Sequence, residues 1–205
     1  MKPHLRILLL TALLIGGCSQ NNTRYTSAED RAAADEKEQI KDVVRQVYKW
    51  HEADTSKDEI AVLTDSKDSI YIGIDLRRHN ERLNELRSAK YFSDEFVSNY
   101  DKIVRTIDKK LKNGEYKWLV GDLPPFGNDA DPWCNCQDVP DSGWQDKIKF
   151  TFVSLDSERS SLTWTWDDPS FSKGFAYAIR VVKVNGSWKI AYLQGFDFNQ
   201  FVEKN

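Results

Sequence analysis

The first eighteen residues end in a cysteine whose surroundings could direct chemistry to its sulfur. Lys2 and Arg6 give this segment a positively charged start. A short, mainly apolar run follows over 7–14, and Gly16 directly precedes the Gly17-Cys18 pair. This order of charge, apolar run and small residues is typical of a secretory signal. The run is too short for the roughly 20 apolar residues of a membrane-spanning helix. The sequence therefore predicts export.

The segment Ile15-Gly16-Gly17-Cys18 resembles the lipobox of bacterial lipoproteins. That resemblance implies cleavage before Cys18, a thioether-linked diacylglycerol on its sulfur and acylation of the new amino group. Two or more acyl chains anchor a protein stably, because each buried methylene contributes about 0.8 kcal/mol. Ser19 follows the cysteine, and in similar lipoproteins a residue other than Asp there implies the outer membrane. We therefore expect a lipid-anchored protein on the periplasmic side of a Gram-negative outer membrane.

Two further cysteines, Cys134 and Cys136, are separated by one residue. Export would place them in a compartment that oxidises thiols. A disulfide between residues so close in sequence departs from the preferred geometry. Three interpretations stay open: two unbridged cysteines on a structured loop, a strained structural disulfide, or a redox or metal site. No nearby histidine completes a zinc set, and no thioredoxin-like strand–helix pattern surrounds the pair.

The length and charge of the chain limit its organisation and its partners. Without residues 1–17 the chain has 188 residues, with 27 basic and 32 acidic side chains. Such a mildly acidic chain without a basic stripe argues against a nucleic-acid partner. The length suits a tether and one domain with a sizeable core. We expect a signal peptide over 1–17, a lipidated flexible tether over 18–31 and one domain over 32–205.

Two charged segments in the first half of the chain show helical spacing of apolar residues. Over about 32–53, aliphatic residues recur every three or four positions, with charged residues largely opposite. Over 77–89 the leucines have looser helical spacing and most other residues are charged, so we expect a solvated helix. Between these segments, 60–63 could close a short helix, whereas 69–74 alternates as a strand does.

A third helix has clear start and stop signals. Ser93 is a candidate N-cap, and Phe92 with Phe96 is a candidate hydrophobic staple. A stripe of apolar residues then recurs at helical spacing until Asn113-Gly114. We predict that this stripe packs into the core.

From Trp144 onward the apolar residues alternate with a period of two, as in strands with one buried face. Asn185-Gly186 lies between two such runs and predicts a hairpin, because both turn positions need positive φ. A two-residue turn there gives three pairs of facing residues: Val181 and Ile190, Ile179 and Tyr192, Lys183 and Trp188. Helices first and antiparallel strands last predict an α+β fold with the helices packed on one face of the sheet.

A long irregular connection over 122–141 separates the helical half from the strand half. It holds four of the six prolines and five aspartates, and long loops in compact domains are often functional. We hypothesise that one set of residues in and beside this loop forms a partner-facing surface: Asp131, Trp133, Gln137, Asp138 and Trp144. The alternative is that Trp133 plugs the open end of the sheet.

The same loop contains closely spaced oxygen ligands. Asn128, Asp129 and Asp131 could contribute to a calcium site. The EF-hand spacing and its terminal glutamate are missing from the sequence, and aspartates that open turns before proline are the ordinary explanation. We therefore predict no metal and no cofactor.

Besides the lipobox, four stretches of the chain carry a resemblance to a known family. They are Val43-Val44-Arg45-Gln46-Val47-Tyr48, Tyr91-Phe92-Ser93-Asp94-Glu95-Phe96, Asp131-Pro132-Trp133 with Gln137-Asp138, and the hairpin Val184-Asn185-Gly186-Ser187-Trp188-Lys189-Ile190. Over about 38–195 they resemble the YbjP/YqhG-like lipoproteins, a largely uncharacterised family with a domain similar to nuclear transport factor 2. The resemblance implies a cone-shaped, curved sheet with helices across it, and a role in the cell envelope. It supplies no catalytic residue.

The resemblance also implies which partners to expect. At least one relative is thought to associate with an outer-membrane efflux channel. Similar small exported domains are immunity proteins against cell-wall amidase toxins. We therefore expect a non-catalytic binding or assembly protein, held to the membrane through Cys18, with an immunity protein as the alternative.

A small-ligand-binding or enzymatic domain is the remaining alternative, because cone-shaped domains often enclose a pocket. Four residues are candidates to face such a pocket: His51, Asp146, Tyr177 and Asp197. The chain has no nucleophile-elbow, zinc-protease or phosphate-loop motif. Nothing in the spacing positions two titratable groups against each other, so we expect no enzymatic activity.

Overall fold

The computed structural model describes residues 27–53, 60–67, 69–122, 125, 130–139 and 142–200. The predicted signal peptide and Cys18 lie outside these residues. The described elements in chain order are α1 (Ala28–Ala53), β1 (Val62–Thr64), β2 (Ile70–Ile74), α2 (Leu76–Ser88), α3 (Asp94–Lys112), β3 (Trp118–Leu119), a 3-10 turn (Trp144–Asp146), β4 (Lys149–Leu155), β5 (Arg159–Thr165), α4 (Pro169–Ser172), β6 (Tyr177–Val184), β7 (Ser187–Leu193) and a second 3-10 turn (Gln194–Phe196). Helices and two antiparallel sheets confirm the predicted α+β class.

The first helix begins at Ala28 rather than near residue 32. Its start is a reciprocal cap, in which the backbone N–H of Asp30 donates to Ser27 Oγ at 3.0 Å. The Ser27 N–H in turn donates to the Asp30 carboxylate at 3.1 Å. Such pairs satisfy two backbone donors at a helix start. Residues 28–31 of the predicted tether are therefore helical, and the rest of that segment lies outside the described residues.

The second helix occupies almost the predicted range but is not simply solvated. Asp75 caps it by accepting from the N–H of Arg77 at 3.0 Å. His79, Leu83 and Leu86 are buried on the side that packs on the rest of the fold. The expectation of a solvated helix is wrong for this face, because two leucines and one histidine per three turns are enough to form a buried stripe.

The third helix confirms its predicted start, stripe and end. Ser93 Oγ accepts from the Phe96 N–H at 3.4 Å, and the rings of Phe92 and Phe96 stack with centroids 4.9 Å apart. The apolar stripe is buried throughout: Phe96, Val97, Tyr100, Ile103, Val104, Ile107 and Leu111. The helix ends at Lys112, directly before Asn113.

A small sheet with strand order β1-β2-β3 lies beside α3. The strand predicted over 69–74 is confirmed as β2. The short helix considered for 60–63 is wrong, because Val62 pairs with Ile74 and the segment is the strand β1. Strands of three and two residues carry too few alternations for a period of two to be recognised, so β1 and β3 were not predicted.

The larger sheet has the order β4-β5-β6-β7, and every neighbouring pair is antiparallel. Its inner face is buried against α1 and α3. The buried residues of that face are Leu162, Trp164, Tyr177, Ile179, Val181, Ile190 and Leu193. In β5 and β6 the buried residues alternate with less buried ones, as the period of two predicts.

The predicted hairpin between β6 and β7 is confirmed in its turn and its first pairs. Asn185 and Gly186 have φ of 50° and 78°, Val181 faces Ile190, and Lys183 faces Trp188. The third predicted pair is wrong. A bulge at Arg180 and Val181 shifts the register, so that Ile179 faces Leu193 and Arg180 faces Tyr192. A bulge inserts one extra residue into one strand, so the alternation of buried and exposed residues shifts by one position beyond it.

Candidate functional site

Trp133 lies in the core, with only 2% of its surface exposed. Its ring stacks on His51 of α1 at a centroid distance of 4.2 Å. It also contacts the rings of Phe92 and Phe96 beside α3 and of Phe196 after β7. The hypothesis that Trp133 forms a partner-facing surface is therefore wrong, because a buried ring cannot meet a partner. The alternative, in which Trp133 plugs the open end of the sheet, requires such a buried position.

Two tyrosines hold the backbone of this loop inside the fold. Tyr48 Oη donates to the carbonyl of Trp133 at 3.0 Å, and Tyr177 Oη donates to the carbonyl of Pro132 at 2.7 Å. Trp164 Nε1 donates in turn to Tyr48 Oη at 2.9 Å. Burial raises the pKa of both phenols well above the usual range, so they remain protonated donors. A loop with buried carbonyls is stable only when such partners exist.

Gly195 permits the close approach of this loop. Its N–H donates to Tyr177 Oη at 3.0 Å, and the Pro132 peptide lies directly against it. A Cβ at position 195 would be 1.9 Å from the Pro132 carbonyl oxygen. The absence of a side chain is therefore what lets the loop and the turn after β7 share one buried tyrosine.

Cys134 and Cys136 form a disulfide, with Cα atoms 5.1 Å apart. The same short loop is closed by a backbone hydrogen bond from Asp131 to Cys136 at 2.9 Å. Asn135 between the cysteines has φ of 50°, a conformation that asparagine tolerates better than most residues. Of the three interpretations left open by the sequence, the structure contains the disulfide.

The side chain of Asp131 has a local structural role. Its Oδ1 accepts from the Trp133 N–H at 2.9 Å, and burial raises the pKa of its carboxyl. This is the turn geometry expected of an aspartate before proline. Asn128 and Asp129 lie outside the described residues. Within the described part of the chain, no group of three or more His, Cys, Asp or Glu residues could hold a metal ion.

The other members of the hypothesised surface separate into two groups. Trp144 is 4% exposed, stacks on Trp164 and donates from Nε1 to Glu52. Gln137 and Asp138 are exposed. The surface hypothesis is therefore wrong for Trp144 as well, because the aromatic members serve the core and only the polar ones reach solvent.

The four residues considered for an internal pocket are not brought together. His51 stacks on Trp133, whereas Asp146 is exposed and pairs with Lys49 at 2.7 Å. Tyr177 Oη uses its hydrogen in a bond to the Pro132 carbonyl. Asp197 accepts from Tyr192 Oη at 2.9 Å.

An exposed apolar strip lies on the small sheet, and sequence reasoning missed it. Gly73 of β2 lies against Asp108 and Lys112 of α3, so the alternate residues of β2 point away from that helix. On this outer side, Ile70 faces Leu119, and Ile72 follows two residues along. Ile72, Leu119 and Val120 are 45%, 43% and 42% exposed. Ile72 and Leu119 are strand residues, and exposed apolar side chains that form a contiguous patch mark interaction sites.

The comparisons with known proteins add no relative. The chain matches no protein-family model, no curated protein and no solved structure. Among the residues that the structure describes, no helix combines the length and the apolar character needed to cross a membrane.

Proposed function

We propose that the chain is a non-catalytic, lipid-anchored protein on the periplasmic side of the outer membrane, which binds another envelope protein. The contact is the small-sheet face, defined as Ile70, Ile72 and Leu119. The exposure of Ile72 and Leu119 is the observation on which the proposal depends. Its domain is a cone similar to that of nuclear transport factor 2, as the resemblance of the sequence implies.

The signal and lipobox over 1–18 support the location. A disulfide between Cys134 and Cys136 agrees with an oxidising compartment such as the periplasm. Nine residues connect Cys18 to α1, and a fully extended chain spans about 3.3–3.6 Å per residue. The domain would therefore stay within roughly 30 Å of its anchor, where a membrane-bound partner is within reach.

The filling of the interior supports binding at a surface rather than in an internal pocket. Trp144 and Trp164 stack on each other and both contact the ring of Tyr48. Trp133 packs separately on the ring of Phe196. A ligand in the interior would have to displace buried rings that each remove a large apolar area from water. The outer side of the small sheet needs no such displacement.

The border of the small-sheet face favours a protein over a lipid surface. Lys117 and Asp122, of opposite charge, lie within three residues of the face along the chain and are exposed. An apolar centre with a mixed polar rim is typical of protein–protein contacts. Segments that lie on anionic membranes instead carry a rim enriched in Lys and Arg.

In-cell photo-crosslinking tests the proposal. A photoreactive amino acid at Ile72 of the full-length chain should crosslink to one defined envelope protein. The matched control is Val153, which is 72% exposed on β4 of the other sheet and should give no such product. Ile72→Glu and Leu119→Glu should abolish co-purification of that protein, whereas Val153→Glu should retain it.

Three results would count against the proposal. Equal crosslinking from Ile72 and Val153 would show that the face is not selective, and crosslinking to lipid alone would assign it to the membrane. If a Cys18→Ala chain fractionates like the wild type, a lipid on Cys18 does not hold the protein to the membrane. If the crosslinked protein is an amidase-type toxin, the immunity alternative holds, and if it is an envelope channel, the assembly role holds.

A further inference from the structure

A polar cleft of about 250 Å³ lies where α3 meets the bulged part of the hairpin. Its walls are Asn99 and Lys102 of α3, Arg180 of β6, Tyr192 of β7 and the segment 197–199. The cleft is on a different part of the molecule from the small-sheet face. It is open to solvent, so a group attached to a larger molecule could enter it.

Two cations in this cleft are placed by aromatic rings. Lys102 Nζ is 3.7 Å from the centroid of the Phe198 ring, and the Arg180 guanidinium carbon is 4.2 Å from the centroid of Tyr192. Within the described residues, neither cation has a carboxylate oxygen within the 4.0 Å of an ion pair. An aromatic face orients a cation but does not cancel its charge. Among the described residues, neither positive charge is therefore neutralised by an ion pair.

Asp197 is the carboxylate of the cleft, and its oxygens are engaged by the fold. Tyr192 Oη donates to Oδ2 at 2.9 Å, and the Asn199 N–H donates to Oδ1 at 2.9 Å. Burial, together with this contact to Asp197, raises the pKa of Tyr192 to about 12, so the phenol remains a donor. With Lys102 and Arg180 against a single carboxylate, the cleft carries a net positive charge.

The bulge in the hairpin creates this arrangement. Without the bulge, the two-residue turn would place Ile179 opposite Tyr192, and no guanidinium would lie over the Tyr192 ring. The shifted register instead places Arg180 there. Bulges often re-aim a side chain at a binding site, and here the shift brings a guanidinium to the rim of a cleft.

We propose that this cleft binds the phosphate or carboxylate group of an anionic ligand, with Lys102 and Arg180 as the groups that hold it. The planar fork of arginine matches the oxygens of both anions, and the lysine adds a point charge. A volume of about 250 Å³ is below the roughly 300–1,000 Å³ of pockets for drug-sized ligands. The cleft therefore suits a single charged head group.

Calorimetric titration of the full chain in neutral detergent tests the proposal. The probes are inorganic phosphate, acetate and glycerol 1-phosphate. At least one should bind saturably, with an affinity that falls as salt rises. Lys102→Gln and Arg180→Gln should each weaken that binding roughly tenfold, since each removes a charge-assisted contact.

Control variants that each lose one cation elsewhere distinguish specific binding in the cleft from the general attraction of anions to a positively charged surface. Lys109→Gln removes an exposed cation from the same helix, and Lys189→Gln removes a half-buried cation from β7. Both should bind the probes as the wild type does, and thermal melts should show that all four variants are folded. Saturable binding by none of the probes, or equal weakening in the control variants, would overturn the proposal.

The ranking of the probes identifies the source of the ligand. Tighter binding of glycerol 1-phosphate than of inorganic phosphate indicates a phospholipid head group. Tighter binding of inorganic phosphate indicates a free or terminal phosphate. Tighter binding of acetate indicates a carboxylate, such as a peptide terminus or an acidic sugar. Each ranking supports an anion site, provided that Lys102→Gln and Arg180→Gln weaken it.

Discussion

Replacing Gly195 by alanine would place a methyl group where the backbone of Pro132 now lies. The added Cβ would be 1.9 Å from the Pro132 carbonyl oxygen and 2.6 Å from its carbonyl carbon and Cα. Backbone atoms cannot rotate away as the end of a flexible side chain can. The Pro132 carbonyl also accepts from Tyr177 at 2.7 Å, so moving the loop removes that hydrogen bond.

The expected loss of stability has two parts. Inserting a methyl group into a packed core costs about 1–3 kcal/mol. The two hydrogen bonds that meet at Tyr177, one to Pro132 and one from Gly195, are buried and contribute about 1 kcal/mol each. We therefore expect Gly195→Ala to lower the free energy of unfolding by about 3–5 kcal/mol. For a domain of this size, each kcal/mol lowers Tm by about 2–4 °C.

Urea and thermal unfolding of the full chain, followed by circular dichroism and tryptophan fluorescence, measure this loss. Gly73→Ala is the matched control. Its methyl group would lie 3.2 Å from Lys112 Cε and Asp108 Oδ1. These are side-chain atoms that need to shift by only a few tenths of an ångström, so we expect a change below about 1 kcal/mol. Equal stability of the two variants would refute the view that the Pro132 peptide is rigidly held against Gly195.

Two further predictions concern the same core and its neighbour α2. Replacing Cys134 and Cys136 together by alanine should cost only about 1.5 kcal/mol in urea unfolding, because the disulfide closes a loop of about three residues. A loss above about 3 kcal/mol would show that the disulfide, rather than the tyrosines, holds the loop. Burial lowers the pKa of His79 from 6.5, although the hydrogen bond to Asp101 opposes this shift. The unfolded chain therefore binds more protons near and below that pH, so stability should be greatest above about pH 6.5 and fall as the pH decreases. His79→Gln should flatten this dependence of the urea midpoint on pH, and an unchanged slope would contradict the assignment.

The elements predicted correctly are those whose signals are local. The third helix has its cap at Ser93, its stripe and its end within one continuous segment, and all of them are confirmed. The turn at Asn185-Gly186 is equally local, because the conformations of two residues determine it. In both cases the hydrogen bonds and contacts that stabilise the element join residues close in sequence.

The features that sequence reasoning missed depend on contacts between distant segments. The strand β1 exists because Val62 pairs with Ile74, and three residues show no period of their own. The bulge at Arg180 shifts the register within a run that alternates regularly in sequence. The charged segment of α2 has a buried side because His79 meets Asp101 of another helix at 2.8 Å. None of these partners can be identified from local periodicity.

The loop around Trp133 shows the same dependence most clearly. Its prolines, aspartates and irregular composition are typical of a surface connection, since buried loops leave backbone groups without partners. Here the partners are supplied by Tyr48 and Tyr177, which lie 85 and 45 residues away in the chain. A buried tyrosine in a helix or strand needs a hydrogen-bond acceptor, and an irregular loop offers carbonyls that no strand has used. The two needs are met together, so residues 132–134 of the loop become an interior element.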